Sequence, residues 1–176
     1  MLFRSIKAQE LGAERLACDL AAILSERDIL RANVGARDAD LRLRVAVLRG
    51  DQRDLPAGVR VDVRARSQAQ RTSSNWQKDL ARDSRDSADP HHATGILLAW
   101  AYPDRTAQSR GTGARYLLAN GRGAQFAEAQ ALAKSEFIVA AELDGAEREA
   151  RIFLAAPIGL DDLNAHFGAL DRKSVV

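Results

Sequence analysis

Apolar residues recur at helical spacing through the first hundred positions of this chain and alternate at strand spacing through much of the rest. Leu2–Leu11 reads as a helix closed by Gly12, because glycine is common just past a helix end. Glu14–Ser25 sets Leu16, Leu20, Ile23 and Leu24 along one face, with Glu14 in the first turn. Asp38–Arg49 carries Leu41, Val45 and Leu48 in the same way, with Asp38 as the expected cap and Gly50 just beyond. Pro56–Gly58 is a turn. Val59–Asp83 sends two signals. VRVDV alternates with period two, as a strand does, whereas Trp76 and Leu80 stand four apart, as on a weakly amphipathic helix. No partner strand lies nearby in sequence, so a helix is expected, although Ser73-Ser74-Asn75 weakens it. Ser84–Asp89 is a polar loop.

Asp89-Pro90 starts the next helix, with aspartate as cap and proline in the first turn. Ile96, Leu97, Leu98, Trp100 and Ala101 make it apolar almost all round, which places it at the centre of a core. Pro103 ends or kinks it. From Ala114 onward the elements are strands. These are Arg115–Ala119, an Asn120-Gly121 hairpin turn, Phe137–Leu143, a turn at Asp144-Gly145, and Glu149–Ala156 stopped by Pro157. Leu160, Leu163 and Phe167 form a short final helix. The expected fold class is α+β, with a helical domain over residues 1–107 and a small, incomplete antiparallel β module over residues 114–168.

Charge is unevenly spread. Met1–Arg122 holds 21 basic and 15 acidic side chains, and the remainder holds 5 and 9. That asymmetry points to an anionic partner for the first part, or else to helical faces laced with ion pairs. Arg42–Arg85 fits either reading, because acids interleave there. Arg105, Arg110, Arg115 and Arg122 follow Asp104 with no further acid between them, and they lie where the helical and β parts meet. Arginine outnumbers lysine 22 to 4, and its planar fork suits bidentate phosphate contacts.

Several chemistries are excluded. None of the four lysines follows a glycine as a P-loop lysine must, and neither an Asp-Glu pair nor an HExxH motif occurs. Cys18 is the only cysteine, so no internal disulfide or cysteine-based zinc site fits, and its place in LACDLAAIL reads as a buried thiol. His91-His92 reads as the exposed first turn of a helix rather than a metal site. Gly111, Gly113, Gly121 and Gly123 do not open a helix after a strand and read as a linker and hairpin. No apolar run approaches the ~20 residues of a membrane span, and Arg4 and Lys7 interrupt any secretory signal, so a cytoplasmic protein with no membrane partner is expected.

Three blocks in order resemble one family: LACDLAAILSERDIL (Leu16–Leu30), LLAWAYPDRTAQSRG (Leu97–Gly111), and RYLLANGRGA (Arg115–Ala124) with VAAELDG and REARIFLAAPI. They look like the region C-terminal to the motor domains of HrpB-type bacterial ATP-dependent RNA helicases, a DExH-box group. The likeness runs from about Ala8 to Gly168. It implies a helical helicase-associated domain followed by an OB-like β module. These would pack beside two RecA-like motors, which hold ATP and magnesium, and would help form an RNA channel. This chain itself would carry no catalytic residue and no cofactor. Its beginning inside the family pattern and its ending in Asp171–Val176 read as those of a truncated gene. The last six codons can be reverse-translated into a sequencing-adapter sequence, so the tail is expected to be non-native.

The expected function is therefore an accessory RNA-binding segment. Arg105, Arg110, Arg115 and Arg122 would touch phosphates and Tyr116 would stack on a base, unless Tyr116 serves only as strand packing. Four phosphate contacts would give a log–log salt slope of about −3 on single strands. The alternative is a structural module docking on an acidic protein surface. A third reading is a fragment with no independent function.

Overall fold

The computed structural model describes residues 6–33, 37–78, 80, 86–111, 114–145 and 149–171, with the side chains of 169–171 excepted. The expected helical residues 2–5, part of the polar loop and the tail beyond 171 lie outside them.

Helix α1 (Ile6–Leu11) ends at Gly12, whose φ of 65° is a left-handed conformation that glycine adopts without a steric cost. Helix α2 (Glu14–Ser25) buries Leu16, Leu20 and Ile23 as their spacing requires. Its N-terminus has no side-chain cap of its own. Asp86, seventy residues along the chain, accepts from the backbone N–H groups of Arg15 and Leu16 and fills that place.

Two expectations change in the next stretch. Helix α3 spans Leu41–Leu48, and its cap is Asp40, not Asp38. The reason is tertiary: Ala39 accepts a backbone hydrogen bond from Ala155, which holds residues 37–40 extended until Asp40. The VRV of VRVDV is a strand after all. Strand β2 (Val59–Val61) pairs antiparallel with β1 (Leu30–Ala32), nearly thirty residues upstream. Asp62 then caps helix α4 (Val63–Gln77), accepting from the Arg64 and Ala65 N–H groups. A strand and a helix thus follow one another in the ambiguous segment, but the helix ends at Gln77, so Leu80 lies outside it, and residues 79 and 81–83 of the expected helix are outside the described residues.

Helix α5 (Pro90–Ala101) starts on Asp89 and is buried from Ala93 to Ala99. It is the central rod expected from its sequence. A Cβ on Gly95 would stand 2.1 Å from the Pro157 carbonyl oxygen, so only glycine allows the helix to lie this close to the β module.

Five strands form that module: β3 (Thr106–Ser109), β4 (Arg115–Leu118), β5 (Gly123–Phe126), β6 (Phe137–Leu143) and β7 (Glu149–Pro157). They close into a barrel in the order β3-β4-β5-β7-β6. The expectation of an incomplete antiparallel sheet is corrected in part: the barrel closes, and four of its five pairings are antiparallel while β5 runs parallel to β7. The first strand also begins at Thr106 rather than after Ala114, and β3 and β4 pair antiparallel on either side of the expected linker, of which Gly113 lies outside the described residues. A short 3₁₀ turn (Ala131–Lys134) places Leu132 in the barrel core. Helix α6 (Leu160–Asp171) returns to α5, where Trp100 meets His166 edge-on and Phe167 at a tilt.

Strands β6 and β7 join the two parts where they have no solvent face, over residues 138–141 and 154–156. Ile138 and Ala140 point into the barrel, while Val139 and Ala141 belong to the helical core; Ile152 and Leu154 divide in the same way. No helix among the described residues is long and apolar enough to cross a membrane.

Candidate nucleic-acid interface

The β3–β4 hairpin determines where the arginines of the seam stand. Ser109 is opposite Tyr116, and the Arg110 N–H donates to the Arg115 carbonyl, so Arg110 and Arg115 face each other across the two strands. Strand β4 alternates outward and inward, with Arg115 and Leu117 outward and Tyr116 and Leu118 buried. Arg110 and Arg115 are both exposed. Like charges directly opposite on one sheet face repel. Among the described residues, the ion pairs engage neither of them; they involve Lys7, Arg31, Arg42, Arg44, Arg49, Arg53 and His92.

The other expected site residues lie elsewhere. Arg105 turns back onto the fold: its guanidinium donates to the Ala141 carbonyl at 2.9 Å and lies over the Tyr102 ring, 4.9 Å from the centroid. It braces the start of β3 against β6. Arg122 sits in the Asn120-Gly121 turn at the far end of β4 from Arg115, and its N–H is received by the Asn120 side chain. The four arginines are thus not one cluster. Tyr116 is the correction. At 1% exposure its ring packs edge-on against Phe126, its hydroxyl donates to the Ser135 carbonyl, and it has no free face for a base. Burial pushes its hydroxyl pKa above the usual value of 10.

The register also shows a residue that local sequence reasoning missed. Arg115 is level with Gln125 on β5, and Gln125 is level with Arg151 on β7. Arg151 is exposed. Its place beside Arg115 depends on a parallel pairing between strands more than twenty residues apart, which no local spacing encodes.

Arginines of the helical part are handled differently. Arg49 reaches Asp19 at 2.8 Å and Asp86 at 2.7 Å. Burial works against its charge, but the two carboxylates outweigh that and hold its pKa above the ordinary value. Asp19 also receives the Ser73 hydroxyl and the Gln77 amide. These groups line a cleft of about 790 Å³ in which the charges already satisfy one another. Arg44 is 1% exposed and is held by both oxygens of Asp28 and by the Asp40 carbonyl. Of the two readings open for Arg42–Arg85, ion pairing therefore accounts for Arg42, Arg44, Arg49 and Arg53. Cys18 is buried and His91-His92 exposed, as expected, with His92 3.0 Å from Asp162 on α6.

No protein-family profile matches the chain. The ATP-dependent RNA helicase HrpB of Escherichia coli (strain K12) is 44% identical to it over 69 residues, which are 38% of this chain and 8% of that protein. The solved structure of the E. coli DExH-box NTPase HrpB superimposes on 90% of the chain with a TM-score of 0.61 and 28% identity. A second, of the Escherichia coli DEAH/RHA helicase HrpB, covers 85% with a TM-score of 0.59 and 25% identity. The chain spans 17% and 16% of those two proteins. The resemblance to HrpB-type helicases carried by the three sequence blocks is thus borne out, as a likeness to one stretch of them.

Proposed function

We propose that this chain is the helicase-associated, RNA-contacting segment of an HrpB-type ATP-dependent RNA helicase. In this reading it works beside RecA-like motor domains that hold ATP and magnesium, and it takes no part in the hydrolysis. The likeness to HrpB supports the helicase-associated assignment. Five-stranded closed barrels of this topology are common oligonucleotide binders, which supports a nucleic-acid partner.

The observation that carries the reading is the Arg110–Arg115 pair: two arginines whose backbones are level across a hairpin, exposed, and outside the ion pairs formed among the described residues. A phosphate between them would relieve their repulsion and accept from both forks. Arg122 supplies a contact at the other end of β4. Phosphate contacts position a strand without reading its sequence, so the segment binds without base preference.

The test is retention of single-stranded RNA on a filter by the chain and by its Arg110→Glu, Arg115→Glu double variant. Retention should fall about tenfold or more, since two attractive contacts become repulsive. If the double variant retains RNA as well as the parent, the face belongs to the second reading, docking on an acidic protein surface.

A further inference from the structure

We infer that the Arg110–Arg115 pair is the start of a longer single-stranded RNA path, which crosses the barrel through Arg151 and continues onto Arg37 at the helical part. The inference rests on the RNA-binding reading above and assigns two residues outside the expected site.

Three observations lead to it. The first is the level row Arg110, Arg115, Gln125, Arg151, whose members share the outer face of four adjacent strands. At normal strand spacing Arg115 and Arg151 are about 10 Å apart at the backbone, with a neutral hydrogen-bonding side chain between them. The second is the place of Arg37. Phe153 follows Arg151 by two residues on β7, and the Arg37 guanidinium lies over its ring, 4.9 Å from the centroid. Arg37 is exposed, and a guanidinium resting on Phe153 by one flat face would offer the other to a base.

The third is that the segment holding Arg37 is pinned. Glu128 receives the Arg37 N–H, Gln130 receives the Ala39 N–H, and the Ala39 carbonyl receives the Ala155 N–H. A platform fixed at three points loses little freedom when a base stacks on it. Beyond it the cleft lined by Arg27, Arg31 and Arg37 also holds Asp28, Asp38 and Glu128, and Arg31 is paired with Asp62, so the path ends at Arg37 rather than entering that cleft. On the other side of the row, Glu149 is level with Gly123 and Leu117, and its charge disfavours an anionic strand straying that way.

The experiment is fluorescence anisotropy of a labelled oligouridine of about 16 nucleotides, the largest site size usual for one such barrel, titrated with the 176-residue chain from low to moderate salt. Arg151→Gln should weaken binding about threefold and reduce the salt slope by about 0.7, the loss of one phosphate contact. Arg37→Ala should weaken it at least as much. Arg37→Lys, which keeps the charge but not the plane, should recover the salt slope and not the full affinity. Both positions are exposed, so melting temperatures should match the parent's and exclude misfolding. If Arg151→Gln and Arg37→Ala bind like the parent while the Arg110→Glu, Arg115→Glu variant does not, the path is wrong and the RNA-binding reading stands. If the unaltered chain does not bind the oligonucleotide, both fall.

Discussion

The two halves of this molecule use the same residue in opposite ways. In the helical half, arginine is a structural cross-link: Arg44 with Asp28, Arg49 with Asp19 and Asp86, and Arg31 with Asp62 each tie together segments distant in sequence. On the barrel, Arg110 and Arg115 stand outward and outside the ion pairs formed among the described residues, and Arg151 stands outward with only its backbone N–H given to the Asp144 carboxylate. A count of charges does not separate the two cases. What separates them is whether aspartates arrive from other elements, and that is a property of the fold. The lesson is that a basic stretch is a candidate binding surface only after its internal partners have been subtracted.

The strongest way to break the comparison is to remove a cross-link. Arg44→Ala should cost about 3 kcal/mol or more, because it leaves the Asp28 carboxylate without its bidentate partner and the Asp40 carbonyl without its donor. Chemical denaturation of the variant against the parent measures this. A loss under about 0.5 kcal/mol, the scale of an ordinary surface substitution, would mean that the helical arginines are no more structural than those on the barrel.

Next in size is the joint where the two halves meet. Gly95→Ala sets a methyl group against the Pro157 backbone, and backbone cannot rotate aside as a side chain can. A loss of about 2 kcal/mol is expected, with α5 displaced from β6 and β7. Thermal melts read the loss. A comparison of near-ultraviolet signals from Trp100, which lies between α5 and α6, reports whether the helix has moved. An unchanged melt would show that the halves are less tightly seated than the shared core of β6 and β7 indicates.

Those elements also show what was readable from the residues. Helices α2 and α5 were legible to the residue at their starts, because periodicity, capping and proline act within a few positions. So were β4, its Asn120-Gly121 turn, β6 and β7. The capping of α3 misled, because Asp38 and Asp40 are equally suited and a hydrogen bond from Ala155 decides between them. Strand β1 and the closing strand β5, Gly-Ala-Gln-Phe, have little apolar pattern of their own and exist through distant partners. The proposed site divides in the same way. The run without acids points to Arg110 and Arg115, whereas proposing Arg151 takes the β5–β7 register and proposing Arg37 takes its contact with Phe153.

Smaller in size is the response to acid, which should come from the helical half. The Asp62 carboxyl titrates below its ordinary 3.8, held down first by the Ala65 N–H and then by Arg31. Asp51 is lowered to about 2, chiefly by the Arg53 side chain. Carboxylates that ionise more readily in the folded chain stabilise it above about pH 4, and that contribution is lost as the pH falls through the lowered values. Asp62→Asn keeps a good helix cap but removes the charge, so the melting temperature should fall less steeply between about pH 5 and pH 2. An acid limb as steep as the parent's would place the sensitivity elsewhere.

The smallest expected effect is the sharpest test of the barrel side, because its sign matters more than its size. If Arg110 and Arg115 contribute nothing to the fold and only repel each other, then Arg110→Gln should leave stability unchanged or raise it by a few tenths of a kcal/mol. Arg151→Gln should stay within about 0.5 kcal/mol. The gain at Arg110 should shrink as salt is added, since exposed like charges about a strand spacing apart are increasingly screened. Urea titrations at low and high salt give both quantities. A destabilised Arg110→Gln, insensitive to salt, would mean that the guanidinium packs as part of the barrel like its helical counterparts, and the contrast between the halves would be lost. A salt-dependent gain would mean that the folded chain carries a repulsion it could shed by mutation, as expected of a surface shaped by an anion that binds there.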